Sequence, residues 1–298
     1  MSVVPVPAPR PRVTASSLTA LKAAGRPITV ITAYDYHAAR IAEKAGVEVI
    51  LVGDSLGMTM LGHASTLPVT MDDMVRATAA VSRATSRTLV VADMPFMSYQ
   101  PSVELALTNA GRLLAEGGAH AVKLEGASET SLMVTQELTD AGVPVMGHVG
   151  LTPQSVNTLG GYHTQAKDAA PAAKLLEDCR ALEDAGAFAI VLECIPAELA
   201  TRVSELLTIP TIGIGAGVGC DGQVQVYHDL LGLGDFLPKH ARRYADLDEV
   251  IGSAIEAYAE DVRSRAFPGE PETTHVSREV VAEAELLFSA EYDDEDLL

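Results

Sequence analysis

Between Ile28 and about Asp235 the chain repeats one pattern, a short apolar run closing on a polar residue and then a longer stretch of helical periodicity. The runs are ITVITAYD (28–35), VEVILVGD (47–54), TLVVADMP (88–95), HAVKLEG (120–126), VPVMGHVG (143–150), FAIVLEC (188–194), IPTIGIGAG (209–217) and QVQVYHD (223–229). Near-continuous apolar runs of this length predict strands covered on both faces, as in a parallel sheet wrapped by helices. The intervening periodicity predicts helices over residues 36–45, 71–84, 102–116, 129–141, 169–185 and 197–206. Such alternation belongs to parallel βα units, and eight of them suit a closed (β/α)8 barrel better than an open doubly wound sheet. The last crossover is the weak one, because little chain separates IGIGAG from QVQVYHD and a crossover helix has barely room to form.

The flanks read differently. MSVVPVPAPRPR carries four prolines and no periodicity, which predicts an extended, poorly ordered arm over residues 1–14 with no signal-peptide apolar core. A capped short helix follows from Ser17 and Leu18 to Gly25. The catalytic barrel is expected to span 15–268, with a helix around 247–266 before FPGEP. Residues 269–298 hold ten acids against the single base Arg278 and read as a solvated acidic tail, although REVVAEAELLFSA within it has an amphipathic helical reading.

Charge and cysteine content remove several function classes. With 21 Lys and Arg against 40 Asp and Glu, the formal net charge is -19, which would repel a phosphate backbone; nucleic-acid binding is not expected. No apolar run approaches the roughly 20 residues that span a bilayer, so no membrane partner is expected. Three scattered cysteines form neither a disulfide framework nor a thiolate metal cage, and they fit a reducing, cytoplasmic setting.

A parallel barrel builds its site from strand C-termini and the loops that follow, so the polar residues there are the candidates: Asp35, Asp54 with Ser55, Asp93, Lys123 with Glu125, His148 and Glu193. Any one of these acids alone reads as a helix N-cap or a turn residue. Asp54, Asp93 and Glu125, however, close three consecutive strands about 4.8 Å apart, and three hard oxygen donors converging there suit a cation such as Mg²⁺. Lys123 and Glu125 lie two residues apart and so face the same way; Lys123 there neutralises a substrate carboxylate, forms a Schiff base or makes a structural ion pair. Glu193, across the mouth, is the candidate general base, and His148 is either a donor to a substrate oxygen or a satisfied core histidine. Gly217-x-Gly219-x-x-Gly222 has dinucleotide-binding spacing but precedes a strand rather than a helix, which argues against that use.

The segments TAYDY (32–36), VGDSLGMTMLGHASTLPVT (52–70), ADMPFMSY (92–99), VKLEG (122–126), GHVGLTPQSVNTLGGY (147–162), LECIPAELA (192–200), IGIGAGVGCDGQVQVYHD (212–229) and PKHARRYADL (238–247) together resemble the ketopantoate hydroxymethyltransferase family. The resemblance covers roughly residues 16–268, and VGDSLGMT with GHVGLTPQSVN is its specific part. It implies a barrel of the phosphoenolpyruvate/pyruvate type, assembled as a homodecamer. The implied activity is transfer of a one-carbon unit from 5,10-methylenetetrahydrofolate to 3-methyl-2-oxobutanoate, through a Mg-stabilised enolate, giving 2-dehydropantoate on the route to pantothenate and coenzyme A. By motif it implies one Mg²⁺ per subunit on Asp54, Asp93 and Glu125. Substrate contacts fall on Asp54, Ser55, Asp93, Lys123 and His148, and acid/base work falls on Glu193. His163 stands where the family usually has Lys or Arg after GGY or GGF, and the acidic tail has no family counterpart.

Overall fold

The computed structural model describes residues 11–293, with side chains to residue 290. Most of the arm expected over 1–14 and the end of the acidic tail thus lie outside the described residues. The chain divides into two compact units, one ending at Ala245 and the other beginning at Asp246.

The first unit is a closed barrel of eight parallel strands in sequence order, each hydrogen-bonded to the next and β8 to β1. The strands are β1 Ile28–Thr32, β2 Val49–Val52, β3 Leu89–Asp93, β4 Ala121–Glu125, β5 Val145–Gly150, β6 Ala189–Glu193, β7 Thr211–Ile214 and β8 Gly222–Gln225. Its helices are α1 Ala15–Ala23, α2 Tyr36–Ala45, α3 Leu56–Thr59, α4 Met71–Ala84, α5 Val103–Ala115, α6 Glu129–Asp140, α7 Val156–Leu159, α8 Ala169–Asp184, α9 Ala197–Leu206 and α10 Tyr227–Leu231. The expected strands and helices therefore form, with two departures at the last crossover.

No helix joins β7 to β8. The connecting loop instead lies directly on α9, so close that a Cβ at Gly219 would collide with the Thr201 hydroxyl. Nor does QVQVYHD remain extended to Asp229: the chain turns into α10, whose first N–H, at Tyr227, donates to Thr32 Oγ1 at 2.9 Å. A period-2 run of four residues carries no signal for where it bends; a hydroxyl from β1 sets the turn.

Side-chain alternation builds two cores. Outward residues such as Ile50, Val90, Val122, Ile190 and Leu192 pack beneath the helices, while Ile28, Val30, Leu51, Val91, Ala121, Met146, Ala189, Val191 and Ile212 fill the barrel. Leu18 of α1 joins the inner cluster with no exposed surface, so α1 lies over the strand N-termini. Thr14 caps it in a reciprocal box with Ser17. Lys22 anchors it with Nζ 2.7 Å from Ser204 O, 3.0 Å from Ile209 O and 3.0 Å from Asp221 Oδ2.

The second unit holds α11 Leu247–Ser264, with acids in its first turn and Arg263 in its last, as the helix dipole favours, and α12 Arg278–Asp293. Among the described residues no helix is long and apolar enough to cross a membrane.

Candidate active site

The inner stripes change character at one height. Going up the barrel, Val91 is followed two residues on by Asp93, Ala121 by Lys123 and then Glu125, Met146 by His148, and Val191 by Glu193, all on the inward face. Parallel register sets Lys123 beside Asp93 and His148 beside Glu125. Glu193 is level with Gly150 on the neighbouring strand. A layer of ionisable groups therefore caps a dry core. Asp54, Asp93, Lys123, Glu125 and His148 are all buried, and Glu193 is partly open.

Its geometry is a chain of acids and bases in contact. Lys123 Nζ lies 2.9 Å from Asp93 Oδ1 and 3.3 Å from His148 Nδ1. His148 bridges two acids, with Nδ1 3.5 Å from Glu125 Oε1 and Nε2 3.2 Å from Glu193 Oε2. Asp93 Oδ2 accepts the Asp54 backbone N–H at 3.0 Å. Two of these atoms, Asp93 Oδ1 and His148 Nε2, are buried at ion-pair distance yet have no aligned hydrogen bond.

The titration of the group follows from this crowding. Burial, and then the charges of Asp93 and Glu125, push Asp54 well above the usual carboxylate range. Burial also raises Asp93, against the pull of Lys123. Glu125 goes the other way, because its contacts with His148 and the Lys123 charge outweigh its burial and hold it below 4.5. Burial and Lys123 oppose protonation of His148, but Glu125 and Glu193 prevail and lift it to about 9. Lys123, though buried, is raised by Asp93, Glu125 and Asp54 and stays an ammonium. An ammonium held against Asp93 favours the carboxylate-neutralising role over the Schiff base, which needs a neutral amine.

These groups floor a cavity of about 890 Å³, at the upper end of ordinary ligand sites. Its walls include Ser55, Tyr162, His163 and Cys194. Ser55 Oγ is 2.9 Å from the Tyr34 hydroxyl. His163 Nε2 is 3.0 Å from Gly160 O, so the loop after GGY is held by its own histidine. The loop after β5 reaches over the site because Gly150 adopts φ +93; a Cβ there would strike the Glu193 carbonyl, to which Leu151 N–H donates at 2.8 Å.

Of the strand-end candidates, Asp35 alone stands apart, capping α2 by accepting the His37 and Ala38 N–H groups at 2.7 and 2.9 Å. Two residues of the site went unmarked by the strand-end reading. Gln154 donates from Nε2 to Asp54 Oδ2 and from its backbone N–H to Glu125 Oε2, both at 2.9 Å. Buried Tyr99 has its hydroxyl 3.1 Å from the Glu125 N–H. Both lie in loops, where no periodicity points inward.

Oxygen donors of this kind fit a hard divalent cation, and crowded, buried acids gain from the added positive charge. Among the described residues, though, no group of three or more His, Cys, Asp or Glu side chains is disposed to grip one ion directly. That suits an ion such as Mg²⁺, which commonly keeps water and substrate oxygens in its shell and takes only one or two carboxylates.

A family model described as ketopantoate hydroxymethyltransferase matches residues 12–270. A 3-methyl-2-oxobutanoate hydroxymethyltransferase of Carboxydothermus hydrogenoformans is 58% identical over 271 residues, covering 91% of this chain and 98% of that protein. One of the same description from Dehalococcoides mccartyi is 52% identical over 281 residues, covering 94% and 99%. Among solved structures, phosphonopyruvate hydrolase superposes with a TM-score of 0.59 at 15% identity, covering 93% of this chain and 97% of that one. A 2,3-dimethylmalate lyase of the PEP mutase/isocitrate lyase superfamily gives 0.56 at 18% identity over 96% and 97%. At these identities the structural likeness is one of fold.

Proposed function

The chain belongs to the ketopantoate hydroxymethyltransferase family and is a hydroxymethyltransferase, and from that premise we propose how its own residues perform the reaction. The acceptor is 3-methyl-2-oxobutanoate, the one-carbon donor is 5,10-methylenetetrahydrofolate and the product is 2-dehydropantoate. Asp54, Asp93 and Glu125 would hold a divalent cation. When bound, Mg²⁺ polarises the keto group of the oxo acid and offsets charge developing on that oxygen.

The remaining work falls to the chain. Lys123, fixed as an ammonium against Asp93, is the counter-charge for the substrate carboxylate. Ser55, poised by Tyr34, offers a further hydroxyl at the mouth. Glu193, the acid of the layer most open to the cavity, removes the proton from C3 of the oxo acid. His148, with Nε2 3.2 Å from Glu193 Oε2, steadies that carboxylate. The new carbon–carbon bond forms between C3 and the one-carbon unit, whose two C–N bonds to the folate are replaced by that bond and by a hydroxyl taken from water; the C3 proton and one proton of the water end on the released tetrahydrofolate.

The observation that carries this reading is the abrupt change from an apolar barrel to a layer of paired acids and bases at one height. The resemblance further supports a homodecamer, and the three free cysteines fit a cytoplasmic setting. A lyase using the same fold would cleave its substrate without folate. The test is turnover of 3-methyl-2-oxobutanoate with methylenetetrahydrofolate: product must form, vanish under EDTA and return with Mg²⁺. Full activity after exhaustive chelation would overturn the carboxylate site.

A further inference from the structure

Gln154 stands where the acids of two different strands meet, and its bonding is saturated. The residue lies in the 3₁₀ turn Pro153–Ser155, just beyond β5, and is buried. Its Nε2 donates to Asp54 Oδ2 and to Met94 O, each at 2.9 Å. Its Oε1 faces the Tyr99 hydroxyl at 3.0 Å and Gln100 Nε2 at 3.1 Å. A backbone carbonyl can only accept, so Met94 O fixes which end of the amide is nitrogen. All four side-chain bonding positions are then used, and the backbone N–H is spent on Glu125 Oε2. Tyr99 closes the frame by accepting the Glu125 N–H and facing Gln154 Oε1.

We propose that Gln154 is a positioning residue for the divalent-cation site, fixing the orientation of both carboxylates by holding Asp54 Oδ2 and Glu125 Oε2. The inference rests on the reading of Asp54, Asp93 and Glu125 given above. The choice of side chain has a physical logic. Lys or Arg at this place would satisfy the same oxygens but bring a fixed positive charge that competes with the cation. A carboxylate would add to the repulsion and lose the donors. A neutral amide steers the acids through two N–H groups, one of the side chain and one of the backbone, without changing the charge the ion meets. The turn that carries it starts with Pro153, and Tyr99 is nearly without exposed surface, so the frame is stiff before any ligand arrives.

The test uses the full chain and Mn²⁺ as the probe, read by calorimetry and by the electron paramagnetic resonance of the bound ion. Gln154→Met keeps the volume and the backbone N–H but removes the amide. Its affinity for Mn²⁺ should fall about 10- to 100-fold, the usual cost of an outer-shell partner. The bound-ion spectrum should also differ from wild type, a change that loss of stability alone would not produce at a temperature where the variant is folded. Tyr99→Phe removes one hydroxyl and should weaken Mn²⁺ binding in the same direction by a smaller factor; it carries the test if Gln154→Met does not fold. Wild-type affinity and an unchanged spectrum in Gln154→Met, or wild-type affinity in Tyr99→Phe where only that variant folds, would overturn the proposal. If the wild-type protein itself binds no Mn²⁺, or binds it equally well as Asp54→Asn, the site reading fails first and separately.

Discussion

The two ends of the barrel use acids in opposite ways. At the N-terminal end of the strands, Glu43 of α2 receives N–H groups from Ser86, Arg87 and Thr88 at 2.8, 3.0 and 3.2 Å, and the Ser86 hydroxyl at 2.8 Å. Glu183 of α8 does the same for Thr208 and Ile209, and Asp221 for Thr211. Each of these acids gathers backbone donors at the entrance to a strand, Glu43 at β3 and Glu183 and Asp221 at β7. Hydrogen bonds outweigh the modest burial of Glu43 and carry it down to about 2. At the C-terminal end Asp54 and Asp93 are buried more deeply, near other carboxylates, and are raised instead. Acids matched to donors fasten the fold, whereas acids set against one another store an electrostatic cost that a bound cation relieves.

The contrast breaks most visibly at Asp54. Asp54→Asn should lose divalent-ion affinity by more than the roughly 100-fold that an outer-shell change costs, and turnover with it, while the melting temperature holds or rises because a buried repulsion is gone. Calorimetric Mg²⁺ titration with a thermal melt checks both halves. A variant that melts early but binds Mg²⁺ normally would place Asp54 among the fastening acids.

Glu43→Gln should show the reverse signature. Turnover per folded molecule stays at the wild-type level and stability drops by about 1 kcal/mol, discounted for partial exposure. The sign of the pH dependence follows from the depressed value: the wild-type advantage is fully present above about pH 4.5 and fades as pH falls through about 2. Urea midpoints of the two proteins between pH 7 and pH 3 should therefore converge on the acid side; a gap that widens there contradicts the assignment.

The smallest effect is expected from the acidic end of the chain. Its described side chains are exposed, including Leu286, Leu287 and Phe288. Ending the chain near Gly269 should leave folding, oligomeric state and turnover unchanged, by scattering and activity assay. Dissociation on truncation would instead make α12 a docking helix.

Much of the catalytic end was readable because two simple periods coincide there. A strand puts every second residue inward, and a barrel puts its chemistry at strand ends, so Asp93, Lys123, Glu125, His148 and Glu193 stand out from apolar neighbours. Asp35 obeys the same spacing and yet serves as a helix cap, since one polar residue after a strand is equally suited to starting the next helix. The fastening acids were illegible for a different reason. Glu43 and Glu183 sit on helices as ordinary surface acids, and their partners lie 43 to 45 and 25 to 26 residues away in loops. Gln154 and Tyr99 fall outside any strand or long helix, and only the folded chain brings them to the acids. The plug formed by α1 rests on Leu18 and Lys22, whose roles depend on the closed barrel beneath them.

The central claim is that the crowded end abstracts a proton from C3 of the oxo acid through Glu193. Exchange of that proton into deuterated water, followed by NMR with 3-methyl-2-oxobutanoate and Mg²⁺ but no folate, isolates this step. The wild-type protein should exchange it readily and Glu193→Gln should lose about 10²- to 10⁴-fold, with Mg²⁺ affinity retained. Exchange by Glu193→Gln at the wild-type rate would contradict the claim.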